Sequence, residues 1–533
     1  MYQHSSTRMK LIQKVSDAID VTIGTEQGHP MSPELFKMFV YDLSVELEQL
    51  NGVNIPNLNG RKISHLLWAD DLILMAEDSE SLQKLLDTLH IFINNWELEI
   101  NILKTNIMVF NVSSRILNCS YAFKLGDEPI KPTNSYIYLG IMFRLNGSFK
   151  PAMEHLSKKA VRAYFSMKKT VDIRALTTAS LLKLFESLIK PIATYGCEIW
   201  LPSTNIIKSL LQDRSMIDSC AIDKLELAHL KMLKWMYGIH KKASNLFCYG
   251  DSGRTPIALS VISQGLNYYR KCCALDRTAS TDEETPLLLH ALKEQKANNF
   301  EWYKTWSYIS SISPDHSPMI SAASDHPHSP KTIQRLLVSR FASEWDSKRL
   351  TQRKLSFYNS CKQEFGIEQY LSCSSYKSRK AIAKLRSSSH DLNIELGRYK
   401  YHDGNYGHSV LNRLCRFCCK GEKQCHDTLQ FAENLPFYEP IIESESHVLT
   451  ECPAYHHLRM GLGDHLKSLL ARNDFDLIMA DSNLTEEFGR YLHRCFLVRH
   501  PKPTANASSL PSTKEAQKPS SATKAKHSTN NRR

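Results

Sequence analysis

Two adjacent aspartates, Asp70 and Asp71, stand between two apolar runs at residues 63–67 and 72–76. Like charges side by side repel and raise each other's pKa unless a cation offsets them. A divalent ion is the usual solution, since Mg²⁺ takes one or two carboxylates together with substrate phosphate oxygens. The competing reading is a plain exposed turn, a setting that suits Asp. A second group of candidate ligands lies far downstream. Cys415 and Cys418 have two residues between them, and His447 and Cys452 have four, a set that can close a tetrahedral Zn²⁺ site. A gap of 28 residues separates Cys418 from His447, and Cys419, Cys425 and His426 compete as ligands. Free thiols on a helix are the alternative.

These groups need elements to hold them. The apolar runs around Trp68-Ala69-Asp70-Asp71 predict a β-hairpin with both acids at or beside its turn. Ser32-Pro33 reads as a helix start, Ser as N-cap and Pro at the first helical position, followed by an apolar stripe to about residue 50. Residues 51–60 read as loop, and residues 79–96 as a helix with Leu82, Leu85, Leu86 and Leu89 on one face. The segment 101–149 is strand-rich, strongest at residues 136–141, and helical periodicity dominates from 151 to 238. Ser, Pro, His and Asp crowd residues 310–332, which predicts a linker. A second helical block follows to about 389, then the Cys/His segment to about 460 and a short helical stretch.

At 533 residues, 42% hydrophobic and 23% charged, the chain has room for two to four domains of ordinary globular composition. No run approaches the roughly 18–20 apolar residues of a membrane span, and the first residues carry no apolar signal core. The expectation is an intracellular protein, cytoplasmic or nuclear, with no membrane partner. Fourteen cysteines show no disulfide framework. The net charge is +12, and half of that excess lies in residues 501–533, with seven Lys/Arg against one acid. Such a tail suits phosphate binding or simple solvation.

Gly24-Thr25-Glu26-Gln27-Gly28-His29-Pro30-Met31-Ser32-Pro33 precedes the Ala69-Asp70-Asp71 segment by about 40 residues, and Asn101-Ile102-Leu103-Lys104-Thr105 follows it by about 30. In this order and spacing the three resemble consecutive motifs of the reverse transcriptases of non-LTR (long interspersed element type) retrotransposons. Tyr138-Leu139-Gly140 is similar to the family's primer-gripping segment. Pro191 to Trp200 and Tyr249-Gly250-Asp251 to Pro256 resemble its thumb-region motifs, and the Cys/His set its C-terminal zinc knuckle. The resemblance implies an RNA-directed DNA polymerase working on an RNA template, a DNA primer and deoxynucleoside triphosphates. Asp70 would ligate Mg²⁺, with Asp71 beside it. Gln27, Gly28, Pro30 and Ser32 would line the template and nucleotide pocket. Lys104 would approach the triphosphate, unless it is a surface lysine. Zn²⁺ on Cys415, Cys418, His447 and Cys452 would present Lys384, Arg386 and Arg398 to RNA.

The implied fold is α+β. It comprises a partial right-hand polymerase palm over residues 1–110, primer-grip-like strands over 111–150 and a helical thumb-like region over 151–240. A connecting helical region over 241–395, a small zinc-knuckle-like module over 396–470 and a basic disordered tail over 501–533 complete it. Departures from the family pattern lead to a further expectation. Only 23 residues precede Gly24, and their acids, Asp17 and Asp20, lack the context of the family's first metal-binding Asp and read as a turn or helix end. The chain is therefore expected to be truncated upstream, poorly soluble and inactive by itself. The alternative is a non-catalytic nucleic-acid-binding remnant using thumb, zinc module and tail. Trp68 stands where a smaller aromatic is usual and is expected to pack beneath the carboxylates.

Overall fold

The computed structural model describes residues 6–12, 14–20, 24, 29–110, 122–220, 222–278, 286–312, 328–398, 410, 413–418 and 441–499. Among these residues, strands and helices are mixed up to residue 144, and every regular element beyond it is helical. The ladders are all two-stranded, and the pairing of Lys131–Pro132 with Asn106–Ile107 is the parallel one among them.

Hydrophobic periodicity builds the first core. The Ser79–Asn95 helix starts on Asp78, whose carboxylate accepts from the Ser81 N–H at 2.8 Å. Its Leu85, Leu86, Leu89 and Phe92 are buried against Leu43 and Leu47 of the Tyr41–Gln49 helix and against Ile107, Phe123, Leu125 and Ile130. The stripe expected as one helix after Ser32 is two, Ser32–Phe39 and Tyr41–Gln49, broken at Val40. Ser32 is not the N-cap. The chain already turns at His29, where the Ser32 N–H reaches the His29 carbonyl, so Met31 occupies the cap position without a side-chain bond. Asp20 pairs with Ser6 in a short antiparallel ladder, so this stretch is extended at Asp20, where a turn or helix end was expected.

The run expected as one strand at 136–141 is also divided. Ser135–Tyr138 and Ile141–Arg144 form a hairpin that reverses at Leu139 (φ 44°) and Gly140 (φ 81°). Two left-handed central residues give a turn whose twist matches the strands.

A second, larger core runs from Ile141 to Cys495 and contains fully buried Trp200, Trp306 and Trp345. Within it the Tyr376–Arg386 helix packs along the Ser482–Arg499 helix. The Glu301–Ser310 helix ends where the linker was expected, and a helix begins at Pro330, capped by Ser329. Residues 313–327 between them, and the basic tail at 501–533, lie outside the described residues.

Candidate active site and metal centre

The aspartate hairpin forms as its sequence predicts. His65–Trp68 pairs with Asp71–Leu74 in antiparallel register, Trp68 opposite Asp71 and His65 opposite Leu74. Leu72 and Leu74 turn toward the smaller core, which leaves Asp71 exposed on the other face. Ala69 and Asp70 make the reversal. Ala69 takes φ 50°, a left-handed conformation that costs a non-glycine residue on the order of 1 kcal/mol. The hairpin base is latched to the Tyr41–Gln49 helix. His65 Nε2 lies 3.0 Å from Ser44 Oγ, and its Nδ1 lies 3.0 Å from Ser64 Oγ. Burial lowers the His65 pKa below its ordinary value, partly offset by Glu48. Trp68 is 65% exposed, which corrects the expectation that its ring packs beneath the carboxylates: the edge position beside a two-residue turn offers it nothing to pack on.

Lys104 sits in a tight turn held by Asn101, whose carbonyl accepts from the Lys104 and Thr105 N–H groups. The Lys104 side chain is exposed. The Tyr136 hydroxyl donates to the Lys104 carbonyl at 3.5 Å. Tyr138, one strand repeat further along, stands near Asp71, and burial together with the Asp71 charge raises its phenol pKa. The structure thus brings the Lys104 turn, Tyr136, Tyr138 and Asp71 into one neighbourhood. The sequence marks Tyr138 only through the primer-grip resemblance and gives Tyr136 no site role, although their i, i+2 spacing on a strand signals a shared face. Pro30 is exposed and Ser32 half-buried at the start of the Ser32–Phe39 helix, while Gln27 and Gly28 lie outside the described residues.

Downstream, Cys415, Cys418, His447 and Cys452 converge, each offering a ligand atom within 4.8 Å of the others. The Cys415 and Cys452 sulfurs are 3.8 Å apart, Cys418 and Cys452 3.7 Å, and Cys418 Sγ is 3.4 Å from His447 Nε2. A tetrahedron with Zn–S near 2.3 Å has S···S edges of about 3.8 Å, so the donor set fits the ion. Glu451 Oε2 lies 3.1 Å from His447 Nδ1, leaving Nε2 turned to the sulfurs, the carboxylate–histidine pattern of metal sites. Burial, with contacts to Cys415 and Cys452, pushes the Cys418 thiol up to about 12. A bound cation favours the thiolate and reverses that direction. The competing Cys419, Cys425 and His426 lie outside the described residues.

The basic residues expected to face RNA do not act together. Arg386 is fully buried, with ion pairs of 3.0 Å to Asp251 and 3.1 Å to Glu368, and its guanidinium lies over the rings of Tyr358 and Tyr370. That corrects its assignment to an RNA-facing surface: two carboxylates and two rings already enclose it. Arg398 pairs with Glu395 at 2.9 Å, and Lys384 is half-buried. No described helix is long and apolar enough to cross a membrane.

With this geometry in view, the comparisons with known proteins give a class. Residues 8–143, which include the aspartate hairpin and the Lys104 turn, match the family model described as reverse transcriptase (RNA-dependent DNA polymerase). The chain carries a reverse transcriptase region of the non-LTR retrotransposon kind. Among its relatives are Pol polyproteins from the type-1 retrotransposable element R2 of Popillia japonica (27% identical over 33% of this chain) and of Nasonia vitripennis (26% over 28%). A transposon-derived protein of Caenorhabditis elegans is 28% identical over 27% of the chain. The aligned parts span half of the nematode protein's length and 24% and 15% of the two polyproteins.

Proposed function

We propose that the chain carries the aspartate-hairpin part of a palm from an RNA-directed DNA polymerase, with Asp70 ligating a divalent cation and Asp71 coordinating or tuning beside it. The observation that supports this best is the two-residue turn that exposes hard carboxylate ligands on a hairpin latched to a helix. Mg²⁺ bound there would polarise phosphate oxygens during in-line nucleotidyl transfer. Asp70 and Asp71 would hold it, and the exposed Lys104 ammonium would meet triphosphate charge. Gln27, Gly28, Pro30 and Ser32 would border the template and nucleotide. Substrates are then an RNA template, a DNA primer and deoxynucleoside triphosphates. The two-metal scheme takes a third, bridging carboxylate, which the Asp70–Asp71 turn does not contain, and we take the chain by itself to be inactive. Primer extension on an RNA template with Mg²⁺ or Mn²⁺, wild type against Asp70→Ala, tests both statements. Extension by the wild type alone would overturn the inactivity, and extension by both proteins would sink the hairpin as the metal site.

A second reading, non-catalytic nucleic-acid binding by a thumb-like helical region and a zinc module, is favoured by the Lys150–Thr170 helix. It exposes Lys158, Lys159, Arg162, Lys168 and Lys169 around the half-exposed ring of Phe165. Its acid, Glu154, is paired with Lys224 at 2.6 Å. Burial and then the charges of Lys159, Arg162 and Lys158 hold the His155 pKa down, as a strongly positive face should. Cations with an interleaved ring suit single-stranded nucleic acid. Zn²⁺ on Cys415, Cys418, His447 and Cys452 would keep the neighbouring segment folded. On this reading, RNA affinity survives Asp70→Ala.

A further inference from the structure

The four candidate zinc ligands come in two pairs, and 28 residues separate Cys418 from His447. The entropy of closing a loop rises with its length, so the connecting chain opposes the meeting of the pairs. A β-bridge between Leu414 and Ile442 joins the two segments at one point, which leaves their relative angle free. Arg499, the last residue of the Ser482–Arg499 helix, reaches both. Its guanidinium donates to both carboxylate oxygens of Glu443, four residues before His447, with Nη2 at 2.9 Å from Oε2. Its carbonyl accepts from the guanidinium of Arg416, which lies between Cys415 and Cys418, at 3.4 Å.

The surroundings close the same junction. The Asn393 N–H donates to Glu443 at 2.7 Å, and the Asn393 side-chain amide donates to the Leu414 carbonyl at 2.7 Å. Further back along the final helix, the Tyr491 hydroxyl donates to the Leu449 carbonyl at 2.9 Å, between His447 and Cys452. Arg499 and Glu443 are 3% and 0% exposed. A buried ion pair is weak evidence for stability, and its best-attested use is to fix register. A two-pronged guanidinium–carboxylate contact also fixes direction. We propose that Arg499 is a positioning residue for the zinc centre: through Glu443 and Arg416 it holds the His447–Cys452 segment against the Cys415–Cys418 turn, so that the docked final helix sets the spacing of the four donors. The proposal rests on the reading of those four residues as a Zn²⁺ site, and it adds a helix that carries no ligand as the element that aligns them.

The test titrates Co²⁺ into the full chain after chelation, reading tetrahedral thiolate coordination from the visible bands and affinity from competition with a chelator. Arg499→Lys keeps the charge and loses the fork, and Glu443→Gln keeps the shape and loses the charge. Arg416→Ala removes the exposed arm of the clasp and leaves the buried pair intact. Trp306→Phe, on a helix without ligands, controls for general loss of stability. Arg499→Lys and Glu443→Gln should weaken Co²⁺ binding about 10–100-fold, while Trp306→Phe lowers the melting temperature and leaves the affinity unchanged. Arg416→Ala should also weaken binding, whereas loss of a nearby positive charge alone would tighten it. If the buried variants do not fold, Arg416→Ala decides: weaker binding supports the clasp, and unchanged or tighter binding overturns it. Unchanged affinity in the clasp variants, or an equal loss in Trp306→Phe, would overturn the proposal and leave Arg499 a packing residue. The metal reading is judged separately. Bands that Cys418→Ser abolishes but the clasp variants leave unaltered would retain the zinc site and sink the role of Arg499, and a wild type without tetrahedral bands would overturn both.

Discussion

Asp223 is half-buried, with one carboxylate oxygen on the Leu225 N–H at 2.9 Å and the other buried without a partner among the described residues. Burial pushes its pKa up to about 6. Because the folded value lies above the unfolded one, the proton is held more tightly in the native state. The resulting stability is complete below about pH 4 and is lost as the pH rises through about 6. Asp223→Asn should therefore match the wild type near pH 4 and exceed it by up to about 3 kcal/mol near pH 8, read from urea midpoints. Equal midpoints at both pH values would show that the carboxylate is better solvated than its surroundings indicate. The Asp251 carboxylate is fully partnered, accepting from Arg386 at 3.0 and 3.1 Å and from the Tyr370 hydroxyl at 2.9 Å. Asp251→Ala leaves a buried guanidinium with Glu368 as its remaining carboxylate partner and should cost about 3–5 kcal/mol, measured by denaturant unfolding. Nothing local in the sequence separates Arg386 from a surface arginine, because its partner lies 135 residues away and only the fold brings them together. By contrast, Asp70 and Asp71 were legible: a hairpin turn is made by its own neighbours.

At the level of elements, the Cys/His set was legible because two short spacings survive a long gap, each pair being held by its own local turn. Chelation should show whether metal holds that segment. We expect about one zinc per chain by elemental analysis, with metal removal lowering the melting temperature and Cys418→Ser reproducing the loss. An unchanged melting temperature on removal would identify the cluster as free thiols. The basic helix was less visible, since its lysines are spread over a longer apolar periodicity that reads first as core. Reversing Lys158, Lys159 and Arg162 to Ala together should lower the slope of log affinity against log salt for single-stranded RNA by about 2. An unaltered slope would place the RNA elsewhere. The hairpin at residues 135–144 was read only as the strongest strand element at 136–141, because aromatic and aliphatic residues run from Tyr136 to Leu139. The Leu-Gly pair in its middle was the only sign of reversal, and a residue pair alone rarely outweighs a hydrophobic run.

On the scale of the whole molecule, two cores share one chain. The smaller, from Leu43 to Ile130, rests on two helices and a few short ladders, and Met38 and Tyr41 stand 74% and 65% exposed on its outer helices. The larger draws on residues from Ile141 to Cys495. Denaturation should show two steps, Trp68 and Trp96 reporting the first and the buried tryptophans the second, whereas coincident transitions would mean that the two cores form one cooperative unit. This division was only partly legible. Local periodicity marks individual helices, but it cannot show that Cys415 and Cys452 belong to the same interior as Trp200. The order of these residues also bears on synthesis. A ribosome completes everything the smaller core requires early, while the larger interior waits for the Ser482–Arg499 helix, several hundred codons later. During that interval the nascent tryptophan-rich helices have no partner to close upon, so yield in a cell should depend on chaperones that shield them more than on the stability of the finished molecule.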